Sequence, residues 1–207
     1  MKSLTNRQRQ AINTKFKISE AAVQLFREKG YEQIKVTDIC RAAGISVGAF
    51  YHHFDSKDSI FTTAYKQIEI LIEDVISIRQ YPTPICKLLD IIDLAAEIVE
   101  DLGSNYISQV YKQNLVTKSE YTLSKKRFTY VAIHKVIVQA LENGILKCDL
   151  SADEITHMII RIERGIIYDW CLFDGQYDLR LHSRKELCIF LKGMGLSNWS
   201  YNNQCKP

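Results

Sequence analysis

Residues 37–61, TDICRAAGISVGAFYHHFDSKDSIF, decide the fold of this 207-residue chain. Thr37 is a good N-cap residue, and Ile39, Ala42 and Ala43 behind it share one apolar face at helical spacing. Gly44 stops that piece, because glycine takes the left-handed conformation that ends a helix. Ile45 then drops into the angle before a second helix opens at Ser46. In this second piece Ala49, Phe50 and Phe54 form the apolar side, leaving Val47, Gly48, Tyr51, His52 and His53 to face outward or sideways. Two short helices about a glycine turn are the layout of a helix-turn-helix, whose second helix lies in the major groove of DNA.

The residue types suit that task. The hydroxyls of Thr37 and Ser46 sit where they cap helices whose exposed N–H groups can also meet a phosphate oxygen. Gly48 lets the second helix approach the groove closely, Tyr51 can donate its hydroxyl to a phosphate, and Lys57 supplies a point charge for the backbone. Val47 can touch a thymine methyl and His52 a purine edge or a phosphate, so these two carry the expected sequence reading. A plain αα-hairpin with Gly48 as a packing glycine is the alternative reading of the same residues. His52 and His53 do not suggest zinc: adjacent helical residues point about 100° apart, and no further ligands converge locally. Neither a metal nor a cofactor is expected.

The string GISVGAFYHHFDSKDSIF resembles the signature of the TetR family of bacterial transcriptional regulators, with Gly44, Ser46, Gly48, Tyr51, Phe54, Lys57 and Ile60 on its marked positions. Upstream, residues 18–40 match as well: the family's first helix ends at a glycine and an aromatic, here Gly30 and Tyr31, before a threonine, here Thr37, opens the second. The resemblance is specific over roughly residues 15–65. It implies an all-α protein, in which an N-terminal three-helix head with the helix-turn-helix is joined to a helical-bundle body that binds a ligand and dimerises.

Charge is distributed accordingly. Residues 1–60 carry ten Lys and Arg against six Asp and Glu, whereas residues 61–207 carry seventeen against eighteen, so the positive excess behind the formal +3 lies in the head. Lys2, Arg7, Arg9, Lys15 and Lys17 precede the first acidic residue, which predicts a basic N-terminal arm placed against phosphates or in a minor groove.

Beyond Phe61 the pattern predicts amphipathic helices at about 58–79, 84–101, 103–115, 118–143, 152–174 and 181–194. Pro82, Pro84, Gly103, Gly144 and Gly175 mark breaks, and Ser151 with Glu154 reads as a capping box. The expected domains are 1–57, the arm and reading head; 58–197, the effector-binding and dimerisation body; and 198–207, a frayed tail. The helix at 58–79 joins head to body and is the expected route by which a ligand changes half-site spacing, which must be about 34–36 Å for two heads to bind. Ile155, Ile159, Ile162, Ile166 and Trp170 form one stripe, widened by Met158, Gly165 and Leu172, and the last helix adds Leu187, Phe190, Leu191 and Met194. Two such helices from each subunit predict a four-helix homodimer interface with Ile159, Ile162, Ile166, Leu187 and Leu191 at its centre. The other reading of these stripes is that they fill the core of one subunit. Tyr106, Tyr111, Phe128, His134 and Trp170, with Tyr130 beside them, are the candidate lining for a mostly apolar ligand.

Several classes are excluded. The chain has no GxSxG elbow, P-loop, dinucleotide glycine pattern or HExxH, so it is not expected to be an enzyme. It has no stretch of about 18 uncharged apolar residues and no signal-peptide pattern, so a cytoplasmic protein without a membrane span is expected. The six scattered cysteines read as free thiols. The expectation is a regulator of a palindromic double-stranded operator, in the first instance a repressor released by a small, largely apolar ligand. The alternative is a TetR-like DNA-binding protein that works through a protein partner, architectural or division-linked, without an effector.

Overall fold

The structure, a computed structural model, describes residues 6–117 and 120–196, and the described residues hold helices and turns without strands. The chain divides into two compact units, one of Met1–Lys66 with Asn105–Ser119 and one of Gln67–Ser104 with Glu120–Pro207.

The first unit is built on α1 (Asn6–Lys29), whose Ile18, Ala22 and Phe26 recur every four residues and are fully buried. α1 already begins at Asn6, so Arg7, Arg9, Lys15 and Lys17 lie on a helix rather than on the expected arm; Lys2 and the side chains of Arg7 and Arg9 lie outside the described residues. A 3₁₀ turn at Tyr31–Gln33 leads into α2 (Val36–Ala43), and α3 (Val47–His53) follows. α4 (Ser59–Ile78) starts in this unit and continues into the second, while all but the first residue of α6 (Ser104–Thr117) folds with the first. The core of this unit is aromatic: Phe26 stacks on Phe61 with ring centroids 5.5 Å apart, and Phe61 meets Tyr106 at 5.3 Å.

The second unit wraps α5 (Pro84–Leu102), in which Ile85, Leu88, Leu89, Ile91, Ile92, Ala96 and Val99 are all buried. Apolar residues on most of its circumference make α5 a central helix, and each buried Ile or Leu contributes about 1.5–3 kcal/mol. Against it pack α8 (Phe128–Glu142) and α10 (Leu179–Gly193), with α9 (Ala152–Leu172) on both of these. Capping follows the sequence. Thr83 Oγ1 accepts from the Cys86 N–H at 3.2 Å, and Ser151 and Glu154 complete the expected box, with the Ser151 N–H donating to Glu154 at 2.8 Å. Asp178 caps α10 from the Leu181 N–H at 2.7 Å, which starts that helix at Leu179, ahead of the expected 181.

The helix expected at 118–143 is instead two, α7 (Glu120–Leu123) and α8, with residues 118 and 119 outside the described ones. The break has a physical cause. Glu69 on α4 and Arg127 are both buried and paired at 2.8 Å, and the extended backbone at Arg127 frees the Phe128 N–H to donate to Glu69 at 3.2 Å. Tyr121 and Thr129 donate to the same carboxylate, and Arg127 Nη1 donates to the Thr122 carbonyl at 2.9 Å. A buried charge needs that many partners. Of the cysteines, Cys40, Cys148, Cys171 and Cys188 are free, as expected, and Cys205 lies outside the described residues.

Candidate nucleic-acid interface

The turn between α2 and α3 is the one the sequence requires. Gly44 adopts φ 66° and ψ 38°, and the Ile45 N–H reaches back to the Cys40 carbonyl at 3.0 Å, closing the end of α2. Ser46 is extended, and its Oγ accepts from the Ala49 N–H at 3.1 Å, which starts α3. Phe50 and Phe54 are buried and stack on each other at 5.5 Å, pinning one side of α3 to the core. The other side is free. Val47 is 41% and Tyr51 54% exposed, one helical turn apart, and Gly48 and His52, again one turn apart, are exposed beside them.

Ser46, Val47, Gly48, Tyr51 and His52 therefore share the solvent side of the second helix and its start. Thr37 is exposed as well, although it does not cap α2. The cap residue is Lys35, whose N–H donates to Asp38 at 3.0 Å, and this places Thr37 in the first turn. Lys57 departs from expectation. Its Nζ turns inward and donates to the carbonyls of Tyr31 at 2.8 Å and Ile34 at 2.9 Å, lying 3.7 Å from the centre of the Tyr31 ring.

Two residues that the motif leaves uncertain also find places. His53 is half-buried, and desolvation, with the charges of His52 and Lys15 adding to it, pushes its pKa below the ordinary histidine value. Lys15 lies over the Phe54 ring at 5.1 Å, so α1 supports the end of α3 through this contact. The sequence places Lys15 only in the basic arm, since nothing local indicates that a residue 39 positions upstream meets Phe54. Among the described residues no group of three His, Cys, Asp or Glu side chains could hold a metal ion.

The expected ligand lining does not assemble as one group within either unit. Tyr106 and Tyr111 belong to the first unit, Phe128, His134 and Trp170 to the second. Tyr106 is 1% exposed and stacked in the aromatic core of its unit. Phe128 packs against the core of the second unit, and His134 stacks on Tyr130 at 6.3 Å. Trp170 is buried at the end of α9, where its Nε1 donates to the Tyr177 carbonyl at 2.9 Å and Gly175, at φ +76°, sits against its ring. A Cβ on Gly175 would come within 3.0 Å of that ring, so Trp170 serves to close the turn after α9.

The expected interface residues are corrected by burial. Ile159, Leu187 and Leu191 are completely buried in the core that α5 and α8 share, Ile166 is nearly so, and only Ile162 is half-buried. The stripe they form faces the core of one subunit. The outer side of the same two helices exposes Gly165, Tyr168 and Leu172 on α9, and Leu181 and Ile189 on α10.

Comparison with known proteins agrees with this geometry. Residues 18–64, from α1 into α4, match the family described as bacterial regulatory proteins, tetR family. The HTH-type transcriptional repressor BepR of Brucella suis biovar 1 is 24% identical over 197 residues, covering 89% of this chain and 93% of its own. Among solved structures, Thermus thermophilus FadR, a TetR-family transcriptional repressor in complex with lauroyl-CoA, superposes with a TM-score of 0.63 at 19% identity, covering 87% of this chain and 94% of that one. The Bacillus subtilis regulator FadR in complex with stearoyl-CoA gives 0.60 at 21% identity, covering 86% and 98%. At these identities the superpositions establish a shared all-helical fold, while the head supplies the family signature. Residues 18–64 thus carry the signature of the tetR family of bacterial regulatory proteins, and over most of its length the chain is similar to transcriptional repressors of that kind.

Proposed function

We propose that the protein is a repressor that binds a palindromic operator as a homodimer through Thr37, Ser46, Val47, Gly48, Tyr51 and His52, and that a small, largely apolar effector releases it. The observation that carries the DNA-reading assignment is the free side of α3. A Cβ built on Gly48 meets nothing nearer than Ser46 Oγ at 3.9 Å, so no internal packing demands a glycine there. Bare backbone on an exposed helix, beside a tyrosine and a histidine, suits close approach to a groove.

The homodimer is supported by the apolar outer side of α9 and α10. Gly165, Tyr168 and Leu172 lie at i, i+3 and i+7, and Leu181 and Ile189 two turns apart, on two helices packed against each other. A second copy presenting the same pair would complete a four-helix interface. The effector class is supported by the acyl-CoA complexes of the two FadR proteins and by the aliphatic interior of the second unit.

The test is selection of binding sites from random duplex DNA, followed by titration of the enriched duplex with acyl-CoA thioesters of increasing chain length. A palindromic consensus released by one range of chain lengths is the expected result. Enrichment of no sequence would reject the operator reading; a palindrome indifferent to every thioester would reject this effector class and direct the search to a protein partner.

A further inference from the structure

Lys57 lies between α3 and α4, where a basic side chain in front of a helix suggests a phosphate contact, yet the side chain is committed inward. Two of its three ammonium donors are used, on the carbonyls of Tyr31 and Ile34, and the charge rests on the face of the Tyr31 ring. The Tyr31 hydroxyl in turn donates to Asp58, next to Lys57 in sequence. Tyr31 and Ile34 belong to the segment that leads into α2, while Lys57 and Asp58 belong to the segment that leaves α3. Four contacts thus join the two ends of the helix-turn-helix. Swinging the ammonium out to a phosphate would give up both hydrogen bonds and the ring contact. Burial also pushes the Lys57 pKa below the ordinary lysine value, as expected for a cation withdrawn from water.

We propose that Lys57 is the positioning residue of the reading head: with Tyr31 and Asp58 it clasps the entry of α2 to the exit of α3, and it makes no contact with the DNA backbone. The inference rests on the DNA-reading assignment of α3. Its consequence is that Lys57 sets how often α2 and α3 stand in the arrangement that fits the groove, and apparent affinity scales with that fraction.

The experiment is an anisotropy titration of the full chain, as wild type, Lys57→Met and Tyr31→Phe, with the enriched duplex and a scrambled duplex over a series of salt concentrations. Circular dichroism first establishes that each variant is folded. Lys57→Met is expected to bind the enriched duplex about tenfold more weakly, through a smaller competent fraction, and the scrambled duplex nearly as before. The slope of log affinity against log salt stays at the wild-type value, because no phosphate contact is lost. Tyr31→Phe, which removes only the hydroxyl bond to Asp58, shows a smaller loss of the same kind. Equal loss on both duplexes with a slope shallower by about one overturns the clasp in favour of a phosphate contact. Unchanged binding on both duplexes overturns it as well. If Lys57→Met does not fold, Tyr31→Phe decides: loss confined to the enriched duplex at constant slope supports the clasp, and unchanged binding overturns it. Wild-type protein without preference for any duplex would sink the DNA-reading assignment itself, a failure visible before any variant is compared.

Discussion

Gly48 separates what the fold needs from what the task needs. Its backbone is ordinary right-handed helix with open space where a Cβ would stand, so alanine there removes a helix-destabilising residue worth about 0.5–1 kcal/mol. Gly48→Ala is therefore expected to leave thermal stability unchanged or raised, while operator affinity falls because the added methyl stands between helix and groove. Melting curves set beside anisotropy titrations check this, and a variant that melts lower would return Gly48 to packing. Gly44 contrasts with it, since its positive φ makes any side chain strained. At this scale the site was largely legible, because an exposed position on a short amphipathic helix follows from the two phenylalanines that bury the opposite side. Lys57 was not legible: residue type announces a cation but not the direction in which the chain turns after Phe54.

Elements were recovered where their ends are encoded locally, as at Ser46, Thr83 and Ser151, each a hydroxyl capping its own helix. They were missed where a distant residue sets the boundary. The helical period continues through 118–143, but Glu69 draws Arg127 out of it from 58 positions away. Arg127→Met, which keeps the stem and removes the charge, leaves that carboxylate buried without its cation, and a cost of about 3–5 kcal/mol is expected in urea unfolding. A second buried carboxylate ties α9 to its neighbours. Glu163 Oε1 is buried, as are Asp93 Oδ1 on α5 and Ser183 Oγ on α10. Burial, with the Glu186 and Asp93 carboxylates adding and the Ser183 hydroxyl opposing, pushes the Glu163 pKa up to about 7. Asp93 is raised to about 6, by burial working against Arg184 and Arg180. A carboxyl whose folded pKa is raised contributes stability that is complete below its unfolded value and lost as pH climbs through the folded one. Stability of the wild type should thus fall as pH rises from about 4 to about 7, and Glu163→Gln, neutral throughout, should gain on it over that window. Thermal unfolding at four or five pH values checks it, and parallel curves would refute it.

At the scale of the whole molecule, the two sides of α9 and α10 make opposite predictions. Leu172 and Ile189, each 63% exposed, belong to the proposed second-copy surface, so Leu172→Arg or Ile189→Glu should yield a folded monomer in sedimentation with weakened operator binding. Ile159, fully buried, belongs to the core of one subunit, and Ile159→Ala should cost about 2–5 kcal/mol of stability whatever the oligomeric state. A dimer that survives charge at both outer positions would place the interface elsewhere.

The sequence by itself determined the helical class, the turn at Gly44, the inward and outward sides of α3 and most helix limits, because all of these rest on spacing and capping within a few residues. Only the tertiary structure decided which side of α9 and α10 is interior, since a helix apolar over more than half its circumference carries no mark of which arc meets its own core. It likewise decided that Tyr106 packs against Phe61, that Trp170 lies against the turn after α9, that Arg127 interrupts the expected helix and starts α8, and that Lys57 points inward. Most of these depend on a partner far along the chain, which spacing within a helix cannot specify.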